Sequence, residues 1–365
     1  MTFNFLMVLN IKKLSKKIQH IAVMRLSAMG DVAMTVPVLR AFVAQHPEIK
    51  ITVISRPFFK PFFEGIPNLS FYAFDENNRH NGFFGLLRLF QDVKALNIDA
   101  FADLHNVLRS KVVRTLFAWS GKRTATVAKG RTEKAALTRI ENKIFQPLTT
   151  MFERHVKVFE RLGFTIHLSN PTFPEKAILS NGILKMLVEN EMTPDFSGIK
   201  IGIAPFAQYD SKVYPFDLMQ QVIDQLAVHR ENKILLFGGG KKEIILLDSF
   251  SKGKKNVIVI AGKLKFEQEL QLISNLDLML SMDSGNAHIA AMLGVKVITL
   301  WGATHPFAGF SPFNQPLENG LVSDRNLFPK LPTSVYGNKK VKGYEDAMRT
   351  IAVQTIVDKI NSAVE

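Results

Sequence analysis

Apolar positions along the chain fall into short dense runs separated by longer stretches with helical spacing. HIAVMRL (20–26), KITVISR (50–56) and IDAFADL (98–104) are short and apolar enough to be buried strands. The turn SAMGD (27–31) follows the first, and VAMTVPVLRAFVAQHP (32–47) then reads as a helix ending near Pro47. A turn-rich segment, LSNPTFPEKAILSNG (168–182), breaks the pattern and is the best linker candidate. Beyond it the alternation resumes with KIGIAPF (200–206), NKILLFGGG (232–240), NVIVIAG (256–262), LDLMLSM (276–282) and VKVITLWG (295–302). Helix-like stretches lie between them, for example 216–230 and 265–276. Strands alternating with helices predict a parallel, doubly wound sheet, here twice in succession.

The expected division is a loose leader over 1–18, an α/β domain over 19–172, a second over 173–345, and a helix over 346–365. That last helix, with Ile351, Ile356, Val357 and Ile360 at helical spacing, could pack back on the first domain. Residues from about 320 to 345 read as a polar, irregular stretch.

Composition changes the picture in two places. The 365 residues include no cysteine, which excludes disulfides, thiolate metal sites and a cysteine nucleophile, and suits a reducing cytoplasm. The net charge of +14 is unevenly placed: residues 1–175 carry 25 Lys and Arg against 13 Asp and Glu, while 176–365 carry 21 against 19. A basic first half implies an acidic partner there, such as a phosphorylated lipid, an anionic membrane surface or nucleic acid, unless the surface is basic for solubility alone. No helix-turn-helix pattern, RNA-binding aromatic motif or arginine-rich tract supports nucleic acid. No apolar run is long enough for a membrane span. The leader, apolar first and then Lys12, Lys13, Lys16 and Lys17, has the reverse order of an export signal. The expected location is therefore cytoplasmic, with weak contact to the inner membrane surface as an option. A monomer is expected.

Four stretches could carry chemistry. In SAMGDVAMTVP, Gly30 permits a tight turn or close approach to a ligand, and Asp31 sits near a helix start, where capping alone would explain it. In YDSKVYP (209–215), Lys212 lies in a strand-to-helix loop and is a phosphate candidate as well as an ordinary surface lysine. In LLFGGGKKE (235–243), the glycines, Gly239 among them, allow a nucleotide close to the backbone. Glu243 could take ribose hydroxyls or complement the helix dipole. The stretch SMDSGNAHIAAMLGVKVITLWGATHP (281–306) is the most specific. Asp283 ends a strand, Ser284 and Gly285 open a helix, and His288 falls in its first turn, so the free N–H groups would suit a diphosphate. Nothing here has metal-ligand spacing, and no G-x-G-x-x-G occurs.

Taken together, these four motifs resemble those of the family-nine glycosyltransferases, the bacterial heptosyltransferases of lipopolysaccharide core assembly. The similarity runs from about Gln19 to the C-terminal helix. It implies a GT-B fold, two Rossmann-like domains facing a central cleft, with acceptor held by the first and nucleotide sugar by the second. It implies an inverting transfer needing no metal or other cofactor, with a nucleoside-diphosphate sugar as co-substrate; ADP-heptose is the family's best-known donor. By position, Asp31 matches the catalytic base and Lys212 the lysine on the donor phosphate. Glu243 matches the ribose-binding glutamate, and Asp283, Ser284, Gly285 and His288 the donor-binding turn. Gly30, Gln208 and Gly239 are further donor-side candidates. Ala207 and Gln208 stand where the family often has small hydroxyl residues. LHNVLRSK (104–111) resembles the basic acceptor loop, so Arg109 and Lys111, with Arg56, Arg131 and His155, are candidates for contacting a phosphorylated glycolipid. A nucleotide-sugar 2-epimerase on the same fold and a non-catalytic binding relative remain as alternatives.

Overall fold

The computed structural model describes residues 17–190 and 196–364. The expectations for 1–16 therefore lie outside the described residues, as does any reading of 191–195. Two compact units divide the chain: the first takes residues up to Ser27, Leu39–Ala128 and His155–His167, and the second takes Ala28–Val38, Lys129–Arg154 and Leu168 onward. The division differs from a simple cut near 172. The segments carrying Asp31 and Arg131 belong with the second unit, because their contacts are made there rather than with their sequence neighbours.

In the first unit, β1 (His20–Met24), β2 (Lys50–Ser55), β3 (Leu69–Ala73), β4 (Ala100–Asp103) and β5 (Arg123–Thr126) form a sheet in the order β3-β2-β1-β4-β5. All its pairs are parallel, with Ile21 opposite Ile51 on one side and Ala100 on the other. Helices α1 (Met29–Ala33) and α2 (Thr35–Gln45) follow β1 where the sequence reads as one helix from 32, and the break falls at Met34. Then come α3 (Gly82–Ala95) and α4 (Leu108–Trp119). Leu86, Leu89 and Val93 of α3 and Val113 and Phe117 of α4 close over Ala22, Met24, Ile54 and Phe101 of the sheet. Phe117 stacks on Phe101, with ring centroids 5.0 Å apart. The core is thus the apolar face of two amphipathic helices on a sheet buried on both sides.

Helices α5 (Arg131–Thr138), α6 (Met151–Leu162) and α7 (Asn181–Glu189) precede the second sheet. That sheet holds β6 (Lys200–Ala204), β7 (Lys233–Leu236), β8 (Val257–Val259), β9 (Leu278–Met282), β10 (Lys296–Trp301) and β11 (Gly320–Val322), in the order β11-β10-β9-β6-β7-β8. Counted from β6, this is the Rossmann order, and the chain reverses its direction of travel between β6 and β9. Its helices are α8 (Phe216–Ala227), α9 (Lys241–Ser251), α10 (Phe266–Ile273), α11 (Gly285–Met292) and α12 (Val353–Val364). Helix α12 belongs to the second unit. Ile356, Val357 and Ile360 lie in the second unit's core beside Met219, Leu280 and Ile298, because α12 covers the same sheet face as α8. Among the described residues, no helix is long and apolar enough to cross a membrane.

Candidate functional site

Parallel sheets gather their ligands at the carboxyl ends of the strands where the strand order reverses. In the second unit that place lies between β6 and β9, and both strands deliver charged side chains to it. Asp283 directly follows β9. Lys212 closes a single 3-10 turn, Asp210–Lys212, after β6. Lys212 Nζ donates to Asp283 Oδ2 at 3.1 Å, and both side chains are about nine-tenths buried. An ion pair this enclosed is orientated more than it is stabilising, since desolvation offsets much of the Coulomb gain. Its lysine is held from behind: Ala303 N–H donates to Ser211 O, and Ser211 Oγ donates to Gly337 O. At Gly337, with φ +86°, an added Cβ would lie 2.6 Å from Lys212 Cγ. Beyond β11 the 323–345 stretch is irregular, as expected, and it is anchored beside the lysine. Thr333 and Ser334 donate backbone N–H groups to Ala303 O, and Ser334 Oγ takes the Gly337 N–H, which seals one side of the lysine.

Helix α11 starts immediately after Asp283. Ser284 is its N-cap by backbone, but the side chain makes no capping bond to the helix and pairs with Ser281 Oγ at 3.1 Å. The first N–H groups of α11 are thus left without a side-chain cap, which is the arrangement that favours an anion. His288, one turn in, is 8% exposed, and its Nδ1 has no hydrogen-bond partner among the described residues. Burial lowers its pKa, against the pull of Asp283 and Asp31, with Lys212 lowering it further, so the fold favours the neutral imidazole. A buried ring nitrogen without a partner is costly unless a ligand supplies one.

Asp31 comes to the same place. It is the third residue of α1, not its N-cap: Ala28 holds that position, and the Asp31 carboxylate accepts the Ala28 N–H at 3.3 Å. The glycine before it allows α1 to meet α11. A Cβ on Gly30 would stand 3.0 Å from His288 Cδ2 and 3.2 Å from Gly285 Cα, and one on Gly285 would stand 2.8 Å from Met29 Cε. Two glycines face each other where these helix ends meet, at a spacing that leaves little room for a side chain. Close by, Lys134 of α5 is buried, with Nζ 3.8 Å from Met151 Sδ and 4.2 Å from the Phe310 ring centre. Burial and Arg154 push its pKa down to about 8, against the attraction of Asp31. Nothing in the sequence around Lys134 marks it as buried.

The remaining donor-side candidates are placed less tightly. Glu243 accepts the Gly239 N–H at 2.7 Å and is the third residue of α9, a capping geometry around the glycine run. Gln208 is exposed in the loop after β6. On the acceptor side, Arg56 and Arg109 belong to the first unit and share one carboxylate: Arg56 Nη2 and Arg109 Nη1 donate to Glu76 Oε2 at 2.9 and 2.7 Å. Glu76, in a loop with no motif, escapes a reading of the sequence. Lys111 is exposed on α4, Arg131 is exposed at the start of α5 in the second unit, and His155 is buried within α6. Among the described residues, no three His, Cys, Asp or Glu side chains are grouped to hold a metal ion.

The family model for glycosyltransferase family 9 (heptosyltransferase) matches residues 86–332. The chain belongs to that family. It is 24% identical over 347 residues to the lipopolysaccharide core heptosyltransferase OpsX of Haemophilus influenzae, covering 94% of this chain and 96% of that one. The structure of a family 9 glycosyltransferase from Veillonella parvula superposes with a TM-score of 0.72 at 19% identity, covering 96% of this chain and 98% of the other. The ADP-heptose heptosyltransferase II of Escherichia coli gives 0.65 at 17% identity, with 95% and 98% covered. At such identities the structures speak for the fold, which is GT-B with its two Rossmann-like domains. Membership of family 9 makes the chain a glycosyltransferase.

Proposed function

We propose that this glycosyltransferase moves a heptose from ADP-heptose onto an acidic acceptor of the lipopolysaccharide-core type, inverting the anomeric centre without a metal. The observation that carries the reading is the meeting of Asp31, Lys212, Asp283 and His288 within one compact unit, at the end of the uncapped helix α11. In this reading the donor diphosphate lies on the first N–H groups of α11. Lys212 offers positive charge to the leaving group, and the neutral His288 fills its missing hydrogen bond with a phosphate or sugar oxygen. Asp31 takes the proton from the acceptor hydroxyl as its oxygen attacks C1. The new O–C1 bond forms as the bond from C1 to the diphosphate oxygen breaks, and the electron pair leaves with ADP. Lys212 and the amides of α11 supply the charge stabilisation that a metal ion would otherwise provide. Arg56, Arg109 and Lys111 of the first unit serve the acidic acceptor, and Glu76 holds the first two in place before it arrives.

The test is transfer from ADP-heptose to a deacylated core acceptor by the Asp31→Asn variant. Removing a general base costs about 10²–10⁴-fold in kcat, with the Kd for ADP unchanged. Turnover near the wild-type rate would reject Asp31 as the base.

A further inference from the structure

Four large apolar side chains are exposed together at one edge of the first unit, apart from Trp119 and Leu96 at the C-terminal ends of their helices. Phe58 follows β2, Phe83 and Phe84 begin the helix after β3, and Leu108 begins the helix after β4. Their exposures are 54%, 61%, 73% and 78%. All four therefore come from loops at the carboxyl ends of three strands in one parallel sheet, and Arg56, Arg109 and Glu76 tie those loops together.

The loop that presents the two phenylalanines is rigid. Asp92 of α3 accepts from Arg79 Nε and Nη2 at 2.8 and 2.7 Å and from Tyr72 Oη at 2.8 Å, and lies 3.2 Å from His80 Nε2. The His80 ring stacks flat on Phe74, 5.5 Å between centres. Asp75 accepts the Asn78 and Arg79 N–H groups. Chain held this firmly does not turn Phe83 and Phe84 inward, so their exposure is a property of the fold. Around them stand exposed cations, Lys60, Arg88, Arg109 and Lys111, in the half of the chain that carries the excess of positive charge.

We infer that this edge docks on an anionic lipid bilayer, with Phe58, Phe83, Phe84 and Leu108 entering the interface and the flanking Arg and Lys meeting the headgroups. A bilayer fits better than a protein partner. The apolar groups stand on separate loop tips with cations between them, which matches a boundary that is apolar below and negatively charged above. The inference is independent of the donor-site reading, because its test needs no turnover.

The test is co-sedimentation of the full chain with vesicles of phosphatidylethanolamine and phosphatidylglycerol, and with phosphatidylcholine alone. Binding is expected to the anionic vesicles, falling with added salt, and to be weak on phosphatidylcholine. The Phe83→Ser/Phe84→Ser variant should lose about ten-fold or more in partition while keeping its melting temperature and its response to ADP. A chain lacking residues 1–16 should still bind. Three results would overturn the inference: no binding by the wild type, unchanged partition of the double variant, or loss on removal of 1–16 alone. Concentration-dependent dimerisation abolished by the same two substitutions, without vesicle binding, would give the face to a second copy instead.

Discussion

At the scale of single residues, buried imidazoles are the sharpest feature of the second unit. His305 accepts the Phe307 N–H on Nδ1 at 3.1 Å and packs edge-on against Phe145 and Phe307. Burial, with Arg325 nearby, drops its pKa from 6.5 to about 4. His288 shifts the same way. A group kept neutral in the fold but free to charge when unfolded stabilises above its unfolded pKa. That contribution is lost as pH falls from 6.5 towards the folded value. Stability should therefore decline between about pH 6.5 and 4 by roughly 2–3 kcal/mol from His305 alone. His305→Gln should flatten that slope in melting curves taken across the range. An unchanged slope would place the acid sensitivity elsewhere. Gly30, Asp283 and Gly285 stood out in the sequence because each falls in a polar turn between a dense strand and a helix, where turn and capping roles stayed open beside ligand binding. The use of Gly30 was not legible, since its partners are Gly285 and His288, more than 250 positions away in the chain. Lys134 and Glu76 were invisible for the same reason.

At the scale of elements, the dense apolar strands β1, β2, β4, β6, β7, β8, β9 and β10 follow the runs in the sequence to within a few residues. The strands that escaped are β3, β5 and β11, each at or next to a sheet edge. LSFYA and RTAT are partly exposed, and GLV spans only three residues, so none has the density that marks a central strand. Helix α3 illustrates what an element owes to a single residue. Gly85 sits against the His80 backbone so closely that a Cβ would lie 2.2 Å from His80 C. That backbone cannot retreat, because Asp92 and Asp75 pin the loop. Gly85→Ala should cost about 2–4 kcal/mol, through displacement of α3 rather than a changed turn. Urea unfolding measures this directly; a loss under about 0.5 kcal/mol would mean that the loop yields.

At the scale of the whole molecule, two Rossmann sheets are built from one rule, parallel strands with helices on both faces, and the candidate site lies at the reversal of strand order in the second. Charge divides differently. The excess of cations lies in the first half of the chain, while the second half is close to neutral and pairs Lys212 with Asp283 after β6 and β9. A nearly neutral unit that binds an anion must do so with few, well-placed groups, so the loss of one should be felt in full. Binding of ADP by calorimetry, to the wild type and to Lys212→Gln in the presence of EDTA, is the most direct measure. The wild type should bind without metal, and the variant, which also leaves Asp283 buried without its cation, should bind about 10- to 100-fold more weakly. Failure of the wild type to bind ADP, or equal affinity in the two proteins, would contradict a donor site at the end of α11.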